Sequence, residues 1–332
     1  MSIEVKKNIR CIALDLDGTT LSDAKSVSEG NRKALEEAVA RGICVVVASG
    51  RALETLPAAV TAIPGIEYAI TSNGAAVYRL KDKQCIRRVM LQGEDVDQIL
   101  EVTKGYFCSY EAFLQGVPYG QKEYVEDPAR FGATPYAVQY IQSTRQGVED
   151  IHAFIREHRE ELDGLDLIVR DEQDRLSLRE KLAACGRSLY ITSSVPNRIE
   201  LTSPEAGKAS GLCFLLERLG IRPEETAAFG DADNDIDMMK VSGCGIAVAN
   251  ATEGCKAAAD CLTKSNQEDG VAYGIREILG IRPVSYTHLD VYKRQAPGRI
   301  WMRWATILMY STWATIWEPS RRRRSPWICT VR

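Results

Sequence analysis

Two aspartates, Asp15 and Asp17, stand two positions apart in ALDLDGTTLS, residues 13–22. Residues 9–14 before them are apolar except for Arg10 and read as a short buried strand. Alternate side chains of an extended chain point the same way. Two carboxylates then share one side of a strand end, with Gly18 turning the chain. Like charges held so close call for a counter-cation. An Asx-rich turn capping a helix is the other reading of this fragment. Three further polar clusters occur: Ser49-Gly50-Arg51, Lys208, and Asp231 with Asn234 and Asp235 in GDADNDIDMM, residues 230–239. Three carboxylates plus a backbone oxygen make a hard-oxygen site suited to Mg²⁺. A serine hydroxyl, a lysine and loop N–H groups suit a phosphate. A carboxylate beside a cation and a phosphate can act as a nucleophile. A second one nearby can protonate a leaving oxygen and then activate water.

The elements that must position these groups follow from the pattern. SVSEGNRKALEEAVARGI reads as a helix, with Ser28 as N-cap, an apolar stripe at Ala34, Leu35, Ala38 and Val39, and Gly42 as C-cap. ICVVVA follows as a buried strand, completing a β-α-β unit and predicting a parallel sheet. A third strand, YAIT, runs into SNGA, residues 72–75. From residue 84 to 204 polar, alternating, hairpin-like segments take over, as expected of a second domain inserted into the first. The α/β pattern resumes with a helix opened by Lys208, the strand TAAFG, the strand CGIAVAN and a short final CLTK. Each polar cluster falls at a strand end or a helix start. Ligands of an open parallel sheet bind outside the carboxyl ends of its strands, so the clusters can converge on one crevice.

Composition narrows the partners. The chain has 332 residues, 45% hydrophobic and 26% charged, the profile of a soluble globular protein. The N-terminus lacks a long apolar run and does not read as a signal peptide. No uninterrupted run of about 18 apolar residues predicts a membrane span. The ten cysteines are scattered and none forms a C-x-x-C pair, as expected of reduced cytoplasmic thiols. Residues 281–332 carry ten Lys/Arg and two Asp/Glu, which leaves the body acidic at −11 and argues against nucleic acid as its partner. All five tryptophans and the arginine run 321–324 fall in this tail. Such a tail can be a membrane- or nucleic-acid-binding segment, an extra module, or translated non-native DNA. Its segment VSYTHLDVYKRQ, residues 284–295, resembles translated sequencing-adapter read-through, so 281–332 is expected to be non-native, disordered and without function.

The series D-x-D-G-T, (S/T)-G-R, Lys and G-D-x-x-N-D resembles the motif set of haloacid dehalogenase-like hydrolases, specifically the Cof-type branch. The likeness covers roughly residues 8–280. It implies a Rossmann-like α/β core, residues 1–83 plus 205–280, with an inserted α/β cap of type C2B, residues 84–204, that sets substrate specificity. By this resemblance Asp15 is the nucleophile, and Asp17 is the general acid/base and offers its backbone carbonyl to Mg²⁺. Ser49 holds the phosphoryl group with backbone around Gly18 and Gly50. Lys208 neutralises charge. Asp231 is the main remote metal ligand, Asp235 a ligand or its support, and Asn234 stands close by. Arg51 and Asn73 face the cap and the substrate. Glu111, Tyr119, Glu123 and Tyr124 are candidates for the cap surface.

Three departures stand out. Thr20 replaces a usual leucine, Ala209 replaces a common glycine, and the tail runs past the usual end. The implied activity is a Mg²⁺-dependent phosphatase of small phosphorylated metabolites, such as sugar phosphates, acting in the cytoplasm as a monomer or homodimer. A phosphomutase or phosphotransferase with the same aspartyl-phosphate, and a non-catalytic regulator, are the alternatives.

Overall fold

Successive residues of the strand Cys11–Leu14 bury their side chains on opposite faces of one sheet. Ile12 and Leu14 join Val45, Val47, Leu35 and Ile275 on one side. Cys11 and Ala13 join Val46, Ala48, Leu212 and Met238 on the other. Strands covered on both faces read as continuous apolar runs, which is why CIAL and CVVVA contain no polar residue. The computed structural model describes residues 8–282, apart from 186–188 and 196. The tail expected to be non-native lies, from residue 283 on, outside the described residues.

The first sheet has eight strands. In spatial order they are Cys261–Leu262, Cys244–Ala247, Thr226–Gly230, Cys11–Leu14, Cys44–Ala48, Ile66–Thr71, Ala76–Arg79 and Gln84–Arg88. The first six run parallel, and the last two add an antiparallel hairpin edge. Gln84–Arg88 therefore belongs to the first sheet and not to the inserted segment where the sequence placed it. None of its residues is fully buried, as suits an edge strand, and it pairs antiparallel with Ala76–Arg79.

A second, six-stranded sheet follows in the order Tyr190–Thr192, Arg198–Thr202, Leu162–Val169, Cys108–Leu114, Val117–Gln121 and Gln146–Val148. Tyr110, Ala112, Leu165, Leu167, Ile199 and Leu201 pack on one face, against Val96, Ile99, Ile155 and Leu178 of the helices Gly93–Val102, Ile151–Glu157 and Glu172–Ala184. The opposite face carries a row of carboxylates. Glu111 lies opposite Asp166, and Asp166 opposite Glu200, on three adjacent strands. Directly opposed residues share a face, and like charges there repel.

Two loops meet backbone to backbone where the chain returns from the second sheet. Gly74 has φ +88°, and a Cβ added to it would lie 2.0 Å from the Gly207 carbonyl oxygen. Only glycine accepts both the conformation and the approach. This contact seats the N-terminus of the helix Lys208–Leu219 against the strand ends. Among the described residues, no helix is long and apolar enough to cross a membrane, and the nine cysteines are free thiols.

Candidate active site

The strand ending at Leu14 lies between the strands ending at Ala48 and Gly230, with Leu14 in register with Val47 and Phe229. The next residues of these three central strands thus emerge side by side, about 5 Å apart in strand spacing. They deliver Asp15, Ser49 and Asp231 to one crevice. Asp15, Asp17, Ser49, Gly50, Arg51, Asp231 and Asn234 all line a cavity of about 550 Å³. Lys208 and Asp235 lie fully buried beneath its floor.

Lys208 is the bridge of the floor. Its Nζ donates to Asp15 Oδ1 and to Asp235 Oδ1, each at 2.7 Å. Burial would lower the lysine pKa, but the two carboxylates override it and hold the ammonium charged. Asp235 Oδ2 accepts the backbone N–H of Asp231 at 3.0 Å and of Ala232 at 3.2 Å, which folds the loop back on itself. Asp231 Oδ1 accepts from Thr19 Oγ1 at 2.7 Å. Gly18, with φ +84°, lets the first loop pass over Asp231, because a Cβ there would lie 2.4 Å from its carboxylate. Thr20, the departure from the usual leucine, is fully buried and donates to the Asp15 carbonyl at 2.6 Å. It therefore steadies the backbone of Asp15 as well as filling space.

Asp15, Asp231 and Asp235 offer oxygens that all lie within 4.8 Å of one another. Asp15 Oδ2 is buried and has no hydrogen-bond partner. Burial, ahead of the neighbouring carboxylates, pushes Asp15 well above the usual range, and burial with Asp235 pushes Asp231 up to about 6. One lysine cannot balance three carboxylates. An unpartnered hard oxygen in such a cluster fits a divalent cation, so the residues present match Mg²⁺.

Asp17 is held differently. Arg51 grips it with two hydrogen bonds, Nε to Oδ2 at 2.6 Å and Nη2 to Oδ1 at 2.8 Å. Lys25 donates to Oδ1 at 2.8 Å. Burial would raise this carboxyl, yet the Arg51 hydrogen bonds and the two cations hold it far below the ordinary range. In this arrangement Asp17 is a carboxylate, and the two cations oppose its protonation.

Asn73 does not line the cavity. It is buried with φ 50° and spends every polar group on the protein. Its N–H donates to Ser49 O at 3.2 Å, and its carbonyl accepts from Gly207 N at 2.8 Å. Its side chain accepts from Asn234 Nδ2 and donates to Glu200 Oε2, each at 3.0 Å. It ties together four segments of the site. Of the expected cap residues, Tyr124 lines the cavity. Glu111 is fully buried behind the wall, Tyr119 packs against Phe154, and Glu123 is exposed.

The sequence did not single out Lys25, Tyr140, Arg145, Asp166, Arg198 or Glu200, yet all line the cavity. Arg145 grips Glu111 through Nε at 3.1 Å and Nη2 at 2.8 Å, and Arg198 reaches Glu111 at 3.2 Å and Asp166 at 2.8 Å. Tyr140 is sandwiched, with Arg51 4.4 Å and Arg145 4.6 Å from its ring centre. Charged residues within largely apolar strands, Glu111, Asp166 and Glu200 among them, were the signal available for this wall.

Burial would raise Glu111, but Arg145 and Arg198 depress it from 4.5 to about 2. The unfolded chain therefore binds more protons than the native one below about pH 4.5. The stability that the pairing of Glu111 supplies is complete above that pH and is lost as pH falls toward 2, a loss of roughly 3 kcal/mol. Urea melts across this range are expected to show it, and Glu111→Gln should flatten that part of the profile. An unchanged profile in the variant would place the acid sensitivity elsewhere.

Comparison with known proteins agrees with this geometry. Residues 12–275 match the family model described as haloacid dehalogenase-like hydrolase. The chain is 31% identical over 290 residues to phosphatase YwpJ of Bacillus subtilis, covering 82% of this chain and 100% of that one. It is 29% identical over 269 residues to the 5-amino-6-(5-phospho-D-ribitylamino)uracil phosphatase YcsE of the same organism, covering 81% and 95%. A solved haloacid dehalogenase-like hydrolase from B. subtilis superposes with a TM-score of 0.71 at 29% identity, covering 82% of this chain and 100% of that one. The chain belongs to the haloacid dehalogenase-like hydrolases and is a phosphoric monoester hydrolase with a Rossmann-like α/β core and an inserted α/β cap.

Proposed function

We propose that this chain is a Mg²⁺-dependent phosphatase that hydrolyses small phosphorylated metabolites, sugar phosphates among them, through an aspartyl-phosphate on Asp15. The observation that carries this reading is Asp15 itself: a buried residue that lines the crevice with Ser49, its carboxylate holding one oxygen on Lys208 and the other without a partner.

In this mechanism Asp15 attacks phosphorus, forming a new P–O bond as the bond to the leaving oxygen breaks. Ser49 Oγ and the N–H groups of the neighbouring loops hold the phosphoryl oxygens. Lys208 orients Asp15 and opposes the burial that favours its protonated form. Asp17 delivers a proton to the leaving oxygen, then takes one from the water that hydrolyses the aspartyl-phosphate. To carry that first proton Asp17 must loosen from Arg51 and Lys25, which hold it ionised here. Asp15, Asp231 and the Asp17 carbonyl would hold Mg²⁺, with Asp235 as ligand or support, and the ion would offset carboxylate and phosphate charge. The core spans residues up to about 88 and from about 205, and the segment between selects the leaving group. A cytoplasmic, metabolite-sized substrate suits the acidic body and the enclosed crevice. The oligomer, monomer or homodimer, is open to sizing.

The first test is phosphate release by the full chain from hexose phosphates, an aryl phosphate and 5-amino-6-(5-phospho-D-ribitylamino)uracil, the compound named for YcsE. Chelation by EDTA is expected to abolish release and added Mg²⁺ to restore it. Mg²⁺ at 100 times its dissociation constant should also stabilise the protein by about 2.7 kcal/mol. Full activity after chelation, with no shift in the melting curve, would overturn the metal assignment.

A further inference from the structure

Resting on that phosphatase reading, we propose that Asp166 is a specificity-determining residue. It accepts a hydrogen bond from the leaving group, and the wall around it rejects leaving groups that bring a second negative charge.

The placement is set by register. Asp166 sits between Glu111 and Glu200 in the carboxylate row of the second sheet, on the face turned to the cavity. It is 7% exposed, so what it meets besides protein is the content of that cavity. Its Oδ2 accepts from Arg198 Nη1 at 2.8 Å. No group among the described residues donates to its Oδ1, and that oxygen is not sealed from solvent. A buried carboxyl that lines the cavity, with burial pushing it well above its usual range and one oxygen left over, is a reader of hydroxyl or amine groups.

The rejection follows from the cations. Four basic residues line the cavity, and each is already bonded to a carboxylate. Lys25 and Arg51 bind Asp17, Arg145 binds Glu111, and Arg198 binds Glu111 and Asp166. A carboxylate or second phosphate at the far end of the leaving group would face Asp166 and Glu200, where the neighbouring Arg145 and Arg198 are committed to the carboxylate row and Lys25 and Arg51 belong to the reacting end at Asp17. Unmatched like charges in such a site cost affinity steeply. A neutral polyol loses nothing of the kind, and its hydroxyls match the open acceptor.

Sorbitol 6-phosphate and 6-phosphogluconate test this directly, since they differ at the far end of one six-carbon chain by an alcohol against a carboxylate. The full chain is expected to favour the alcohol in kcat/KM by at least about 30-fold, mostly through KM. Asp166→Asn, checked for folding by its melting curve, should narrow that ratio about tenfold by removing the opposing charge. Asp166→Ser serves if the Asn variant does not fold. Equal wild-type efficiency on the two esters overturns the proposal whatever the variants do. A wild-type preference that a folded Asp166 variant leaves untouched overturns the assignment to this residue. Failure on both esters and on an aryl phosphate would instead remove the phosphatase reading, and this inference with it.

Discussion

Asp15→Asn is expected to lower phosphate release by at least about 10⁴-fold while leaving the fold intact or steadier. The amide keeps the shape of the side chain and an oxygen for the Lys208 hydrogen bond, now 2.7 Å long. What it loses is the lone pair and charge that attack phosphorus. It also removes one of three carboxylates crowded within 4.8 Å, the one that burial and its neighbours hold far above its ordinary pKa. Without Mg²⁺ the variant should therefore melt no earlier than wild type, and with Mg²⁺ it should gain less. Steady-state rates and paired melting curves separate the two effects. Wild-type release by the Asn variant would remove Asp15 from the nucleophile's role. A variant that is both inactive and unfolded would show instead that the carboxylate is structural.

Lys208→Met should cost both stability and activity. The ammonium is fully buried and bonded to two carboxylates, so its loss strands two charges beside a third. Removing one partner of a buried ion pair typically costs about 3–5 kcal/mol, far more than the pair contributes net. Release should fall by about 10³-fold, since the group that holds the Asp15 carboxylate in place is gone. Adding Asp235→Asn to Lys208→Met relieves one stranded charge. The double variant is expected to recover much of the stability and none of the activity. Denaturant melts beside kinetics on an aryl phosphate give the result. Recovery of activity together with stability would mean that Lys208 serves the fold alone.

The motifs were legible because each is local. D-x-D-G-T, S-G-R, the lysine and G-D-x-x-N-D are short, and each lies where an apolar strand stops or a helix starts. A parallel sheet then brings strand ends together without further instruction. The edge strand Gln84–Arg88 was harder to place. It is as polar as the segments after it, and only its pairing with Ala76–Arg79 assigns it to the first sheet. Thr20 was legible as a residue and not as a role, because its hydrogen bond to the Asp15 carbonyl depends on the path of the intervening loop.

Asn73 shows the same limit. Its sequence neighbourhood, SNGA after a strand, placed it at the crevice. Its partners come from positions 49, 200, 207 and 234, and no local pattern names them. The cavity wall goes further. Glu111, Asp166 and Glu200 stand out as charges in largely apolar strands, as Asp163 does, but nothing short-range says that these three form one row, or that Arg145 and Arg198 bond to it. Chemistry confined to a strand end or a helix start can be read from neighbours along the chain. Pairing register, and hence which charges face each other across the crevice, is settled by packing among residues tens to hundreds of positions apart, because a one-residue slip would turn every side chain of a strand to the other face.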